Sequence, residues 1–310
     1  MRISVLGAAG NIGQALSLLL KIYLPAGSEL YLYDIKPVVL GITLDLSHIP
    51  NDVQVKGFTE KDIFLALNNT DIVIIAAGIA RKPGMERADL FDINSNIIIN
   101  LVEKIAVMSP NALVCIITNP INITTVIAAE VLKKYGCYNK NKLFGITTLD
   151  IMRANQLVFI EKNLRNIDVP VVGGHSEITI LPLLSQLKNI TFTDKEAIEI
   201  TKSIQNAGSE VVKAKIGNGS ATLSMGYAAT RFCLSLVQGM QGKHNILEYA
   251  YIEGDGKYTR FFSQPFFLGR HGIEKYKDIG KINGFEQIIL HKMIEHLNKD
   301  ILKGEKFIKK

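Results

Sequence analysis

The chain has 310 residues, 47% of them hydrophobic, and 35 basic against 29 acidic side chains give it a net charge of +6. That length and apolar content allow one large domain or two ordinary ones around a sizeable core, and they exclude a disordered chain. The basic balance is not gathered into any block of five Lys or Arg, no apolar run reaches the length of a membrane span, and the three cysteines (Cys115, Cys137, Cys233) form no C-x-x-C pair, so nucleic acid, membrane, disulfide framework and structural metal are all unexpected.

In chain order, residues 3–6 form a short strand that begins almost at Met1. The absence of a targeting stretch before it leads to the expectation of a cytoplasmic protein. Then come the turn Gly7-Ala8-Ala9-Gly10-Asn11-Ile12-Gly13, an apolar helix over 15–24 and a second strand over 29–33 that ends at Asp34. A helix that starts at a glycine turn points free N–H groups at an anion, and its dipole favours negative charge there. Asp34 follows Gly13 by 21 residues, the separation expected of a carboxylate that accepts both hydroxyls of a ribose. The same carboxylate would repel a 2′-phosphate, so the unit predicts a dinucleotide site for NAD rather than NADP. The glycines run G-x-x-G-x-x-G instead of G-x-G-x-x-G, and the weight falls on the whole strand–turn–helix–strand–acid unit.

Alternation continues with a helix over 39–48, a strand over 53–55, a helix over 60–67 and an apolar strand over 71–77. The strand feeds Gly78-Ile79-Ala80-Arg81-Lys82-Pro83-Gly84-Met85-Glu86-Arg87, a loop with two guanidinium groups six residues apart and a Pro-Gly hinge between them. Arg grips carboxylates through two parallel hydrogen bonds, which makes this loop a candidate anion-holding lid. A long helix over 88–108, a strand over 112–117 ending in Ile117-Thr118-Asn119-Pro120, a helix over 120–135, a strand over 142–145 and a helix over 147–162 follow. Strands separated by helices imply a doubly wound parallel sheet of Rossmann type, with ligands outside its carboxyl edge.

Beyond about residue 150 the pattern changes. Residues 169–176 read as strand and turn, 194–214 and 220–239 as helices, 246–269 as a strand pair about Gly254-Asp255-Gly256, and 282–303 as a last helix. This half is expected to be an α+β domain, which gives a division into 1–145 and 146–310. It carries Asp150 and Arg153 three apart on one helix face, and a histidine in the glycine turn Gly173-Gly174-His175-Ser176.

Together the turn over 7–13, Tyr33-Asp34, the 78–87 loop, 117–120, Thr148-Leu149-Asp150-Ile151-Met152-Arg153, 173–176 and Gly219-Ser220-Ala221-Thr222-Leu223-Ser224-Met225 resemble the NAD-dependent malate dehydrogenases of bacterial and mitochondrial type, over nearly the whole chain. The resemblance implies reversible hydride transfer between NAD(H) and malate or oxaloacetate, a place in the tricarboxylic acid cycle, and a homodimer. It implies that His175 is the acid/base and that Asp150 fixes its tautomer. Arg153 would hold the carboxylate beside the carbonyl, Arg87 would polarise the carbonyl, Arg81 would hold the distal carboxylate and Asn119 would bond substrate. Asn94, Met225 and the 117–119 segment would line the cofactor site. A lactate dehydrogenase-like enzyme is the nearest rival, set aside by Arg81. A non-catalytic NAD-binding protein would be expected to lack His175, Asp150 or an arginine.

Overall fold

The computed structural model describes residues 1–79, 87–217 and 219–309. Six parallel strands come first: β1 (Arg2–Leu6), β2 (Glu29–Tyr33), β3 (Gln54–Phe58), β4 (Ile72–Ile75), β5 (Leu113–Ile116) and β6 (Leu143–Gly145). Their order in the sheet is β3-β2-β1-β4-β5-β6, the doubly wound arrangement, whose switch point lies between β1 and β4. The helices between them are α1 (Asn11–Tyr23), α2 (Val38–Ser47), α3 (Ile63–Leu67), α4 (Arg87–Met108) and α5 (Ile121–Lys134).

The unbroken apolar runs of the central strands follow from this layering. Side chains alternate between faces along a strand, and a parallel sheet is covered on both. In β4, Val73 and Ile75 enter one core while Ile72 and Ile74 enter the other; in β5, Val114 and Ile116 divide from Leu113 and Cys115 in the same way. Each such side chain, fully buried, contributes roughly 1.5–3 kcal/mol, so register is fixed from both faces at once.

The second half holds α6 (Thr148–Lys162), β7 (Val171–Gly173), β8 (Ile180–Pro182), α7 (Asp194–Ala214), α8 (Leu223–Met240), the hairpin β9 (Ile246–Glu253) and β10 (Phe261–Gly269), β11 (Gly272–Tyr276) and α9 (Gly284–Ile308). Its strands do not form a separate sheet. β9 joins the edge of β6 through the pair Gly145–Tyr251, β10 follows, then β7 and β8, with β11 also on β10. Helix α9 packs on α5, and α8 on α1, so helices of the second half cover the first.

Several elements differ from the sequence expectation. β8 and β11 were not anticipated: with three and five residues they are too short to show periodicity, and their pairing partners β7 and β10 are what hold them extended. The 60–67 helix is a short 3₁₀ turn followed by α3, and α8 starts at Leu223 rather than 220. Helix α9 runs five residues further than expected, to Ile308, because its last turns stay packed: Ile301 is buried, and Gly304 lies where a Cβ would come within 3.0 Å of Val126.

Candidate active site

Gly7 and Gly13 are required by close approach. A Cβ on Gly7 would stand 2.4 Å from the Ala77 nitrogen, with φ at +91°, and one on Gly13 would stand 2.2 Å from the Gly7 carbonyl oxygen. Backbone fills both positions, so nothing can give way. Ala8 is buried and Ala9 nearly so, whereas Gly10 and Asn11 are exposed and Ile12 half-buried. Helix α1 starts after Gly10 with no capping side chain and no acid in its first turn, so its first N–H groups remain available to an anion.

Asp34, 8% exposed, directly follows β2. One carboxylate oxygen accepts the Ala9 N–H at 2.9 Å and the other the Lys36 N–H at 3.0 Å, and each keeps a lone pair toward solvent. A cleft of about 860 Å³ opens here at the switch point, lined by Gly7, Gly10, Asp34, Ala77, Gly78 and Ile79 among others. That is the size of a cofactor-binding cleft. Uncapped helix amides at one end and a carboxylate at the other, with backbone brought close by glycines, fit a dinucleotide.

At the ends of β4 and β5 the chain is tied by Asn94, which is 2% exposed. Its Oδ1 accepts the Ile79 N–H at 2.9 Å, and its Nδ2 donates to the Asn119 carbonyl at 2.9 Å. Asn94 thus holds the walls of the cleft through backbone rather than presenting its amide to it. Thr118 donates to the Ala77 carbonyl. Asn119 is exposed, and its peptide bond to Pro120 is cis. Ile117 and Met225 are buried in the core shared by α1 and α8.

The second cluster lies where α6, β7 and α5 meet. Asp150, in the first turn of α6, is wholly buried. One of its oxygens faces His175 Nδ1 at 2.5 Å and the other Arg153 Nη1 at 3.4 Å. The i,i+3 spacing read from the sequence thus sets Asp150 beside the Arg153 guanidinium on one helix face, and the same carboxylate also meets the His175 imidazole. His175 leaves β7 after Gly173, whose φ of +105° and 2.2 Å approach to the Thr179 oxygen exclude a side chain. With Nδ1 engaged by Asp150, Nε2 is the ring nitrogen left to a substrate, and the His175 side chain is 10% exposed.

One residue of this cluster escaped the sequence reading. Asn122, 1% exposed in the first turn of α5, accepts the His175 N–H through Oδ1 at 2.8 Å. A polar residue between Ile121 and Ile123 was the available signal. The structure brings together His175, Asp150 and Arg153 in one cluster, and Asn94, Thr118 and Asn119 in the other, three residues along the chain from Asn122. Arg81 lies outside the described residues. Arg87 opens α4 as backbone, and its side chain lies outside them too. Among the described residues no group of three His, Cys, Asp or Glu could hold a metal, and no helix is long and apolar enough to cross a membrane.

Residues 1–145 match the model of the lactate/malate dehydrogenase NAD-binding domain, and residues 147–308 that of the lactate/malate dehydrogenase alpha/beta C-terminal domain. The chain belongs to the lactate/malate dehydrogenase family. Within that family it is 60% identical to a malate dehydrogenase of Yersinia pestis (strain Pestoides F), over 99% of both chains. The apo malate dehydrogenase of Picrophilus torridus superposes with a TM-score of 0.85 at 26% identity, covering 99% of this chain and 98% of that one. A lactate dehydrogenase of Cryptosporidium parvum superposes nearly as well, with a TM-score of 0.83 at 22% identity over 98% of both chains. Lactate/malate dehydrogenases of both kinds thus share this backbone, and it does not separate their substrates.

Proposed function

We propose that the chain is an NAD-dependent malate dehydrogenase that interconverts malate and oxaloacetate. The observation that carries the reading is the buried Asp150 carboxylate 2.5 Å from His175 Nδ1, in a family frame whose 60% identical relative is a malate dehydrogenase along its whole length. Bound NAD(H) supplies the hydride acceptor or donor. Gly7 to Gly13 would hold its pyrophosphate on the α1 amides and Asp34 would take the ribose hydroxyls, which would favour NADH over NADPH in kcat/KM.

The protein's own part is proton transfer and orientation. Asp150 accepts the Nδ1 proton and keeps the ring in one tautomer, so that Nε2 gives its proton to the oxaloacetate carbonyl oxygen in reduction and takes the malate hydroxyl proton in oxidation. Arg153, steadied by the same carboxylate, holds the substrate carboxylate next to the reacting carbon. Arg87 and Arg81 remain assigned to the carbonyl and the distal carboxylate, and Asn119 to a substrate hydrogen bond, on the strength of the sequence motif. Arg81 is what favours a dicarboxylate over pyruvate.

Neighbouring helices of both halves expose large apolar side chains: Leu40 and Leu44 on α2, Ile160 on α6, Leu223 and Tyr227 on α8. α1 touches both α2 and α8, and α8 touches α6. Exposed apolar side chains of this size on neighbouring helices suit burial against a second copy, which supports the homodimer; sedimentation equilibrium of the wild type and Leu44→Glu checks it, with a monomer expected for the variant. The domain division at 145/146 and a cytoplasmic location are retained as part of the same reading. NADH oxidation measured in parallel with oxaloacetate, with pyruvate and without substrate tests the function. Turnover on oxaloacetate alone is expected, and equal turnover on pyruvate would remove the dicarboxylate assignment.

A further inference from the structure

Asn122 makes more hydrogen bonds across the fold than any local structure asks of it. Besides accepting the His175 N–H, its Nδ2 faces Ser176 Oγ at 2.8 Å, Asp300 Oδ2 at 3.0 Å and Thr179 Oγ1 at 3.4 Å. One buried amide of α5 therefore grips the catalytic turn from behind, and Asp300 of α9 grips the amide. The turn leaves no slack at this contact: a Cβ on Gly174 would stand 2.8 Å from Asn122 Oδ1 and 2.6 Å from Thr179 Oγ1. Helix α9 supports the same place with packing, for Met293 lies against Gly173 and Leu297 against Gly174. At the outer end Asp300 is half-buried beside a shallow cavity of about 350 Å³ that His296 and Lys299 share.

We infer that Asn122 is a positioning residue for proton transfer at His175, and that Asp300, 178 residues away in sequence, holds Asn122 in place for that task. The inference rests on the proposed role of His175. Asp150 sets the direction of the imidazole ring, but a ring hung on a loose backbone carries its Nε2 with the loop. Asn122 fixes the main-chain nitrogen of His175 itself, so that ring and backbone are anchored from two different helices, α6 and α5. Asn119, three residues earlier and ahead of the helix, accepts from Asn94 through its main-chain carbonyl on the cofactor side. The start of α5 thereby sets the distance between the cleft and the acid/base group. A displacement of about 1 Å between reacting groups can slow chemistry by roughly a hundredfold while leaving binding intact, and this is the signature that separates positioning from support of the fold.

The experiment uses the full chain and compares the wild type with Asn122→Ala, Asp300→Ala and Asp300→Asn, reading kcat and KM for oxaloacetate, KM for NADH, thermal melting, and the kinetic isotope effect with NADH deuterated at the transferred position. Asn122→Ala is expected to lower kcat about thirty- to a hundredfold with KM for NADH within twofold. Asp300→Ala is expected to lower it about five- to tenfold, and Asp300→Asn, which keeps an acceptor oxygen, to recover most of that loss. The isotope effect should rise in both alanine variants as the chemical step becomes slow. Should Asn122→Ala fail to fold, the half-buried Asp300 pair carries the same test. Unchanged kcat in Asp300→Ala, or a loss that Asp300→Asn does not recover, overturns the inference while a wild type active on oxaloacetate leaves the proposed function standing. A wild type inactive on oxaloacetate overturns both.

Discussion

Two glycine turns make this protein's site, and they are built in opposite ways. The turn over residues 7–13 is held mainly by backbone, with side-chain bonds only from Asp34 and Gln14 of the same βαβ unit: Gly7 and Gly13 are excluded from carrying side chains by main-chain atoms of Ala77 and of Gly7 itself, and Gly7 and Ala8 both donate to the Tyr33 carbonyl. The turn over residues 173–176 is held by side chains from distant helices, Asp150 of α6, Asn122 of α5 and, through Asn122, Asp300 of α9. A backbone cradle suits an anion, which needs only N–H groups and room. A proton-transferring ring must be aimed, and aiming requires acceptors placed from several directions.

The comparison is broken most severely at the aimed turn. Removing the acid/base group by His175→Asn is expected to lower kcat by about a thousandfold, within the range for a lost general acid. NADH affinity, read by fluorescence titration, should hold, because the other turn is untouched. A kcat within tenfold of wild type would end the assignment.

At the backbone turn the matching change is Gly13→Ala. Its methyl meets the Gly7 oxygen at 2.2 Å, whereas that of Gly10→Ala meets the same oxygen at 3.3 Å. The first is expected to cost about 2–3 kcal/mol of stability and most of the NADH affinity, the second less than about 1 kcal/mol. Denaturant unfolding of both variants checks the pair, and equal losses would mean that crowding at Gly13 is not what matters.

The two turns should also differ in their response to pH. Reduction of oxaloacetate consumes the proton on His175 and should slow as pH rises. Oxidation of malate needs the bare ring nitrogen and should slow as pH falls. Parallel profiles in the two directions, measured where the isotope effect shows chemistry to be limiting, would remove the proton from His175.

The smallest effect expected lies away from both turns and serves as their control. The Lys162 ammonium beside Glu196, with Thr193 capping the start of α7, holds the Glu196 carboxyl down to about 2 from the ordinary 4.5. A depressed carboxylate stabilises the folded state above its ordinary value, and that contribution is lost as pH falls toward the folded one. The Tm advantage of wild type over Glu196→Gln should therefore shrink below pH about 4.5, with kcat at neutral pH unaffected. An advantage that stays constant down the acid range would contradict the ion pair.

What could be read from the sequence follows the same division. The backbone turn was legible because its parts lie within one βαβ unit: glycines that leave room, a helix, a strand and Asp34. The doubly wound parallel sheet followed from the alternation of strands and helices, whereas the strand order is the structure's own. Asp150 and Arg153 were readable as neighbours from helical spacing. The support of the other turn was not, since Asn122 and Asp300 meet only after α5 and α9 have packed, and no local pattern marks an Asp on a helix as facing inward. β8 and β11 stayed hidden for another cause: with three and five residues they are too short to show a period, and each is held extended by the strand that precedes it in the chain, β7 and β10.

The seam between the halves has a consequence of its own. Gly145 and Tyr251 join what would be two sheets into one, and a Cβ on Gly145 would come within 2.5 Å of Thr125 Oγ1 and 2.8 Å of an Ile121 methyl. Severing the chain there would not release two finished domains. It would leave β6 and β9 each with a bare row of N–H and C=O groups along an apolar strand, the kind of edge that recruits whatever chain is nearest. The two halves are in that sense each other's edge protection, and fragments made separately should be sticky where the whole chain is not.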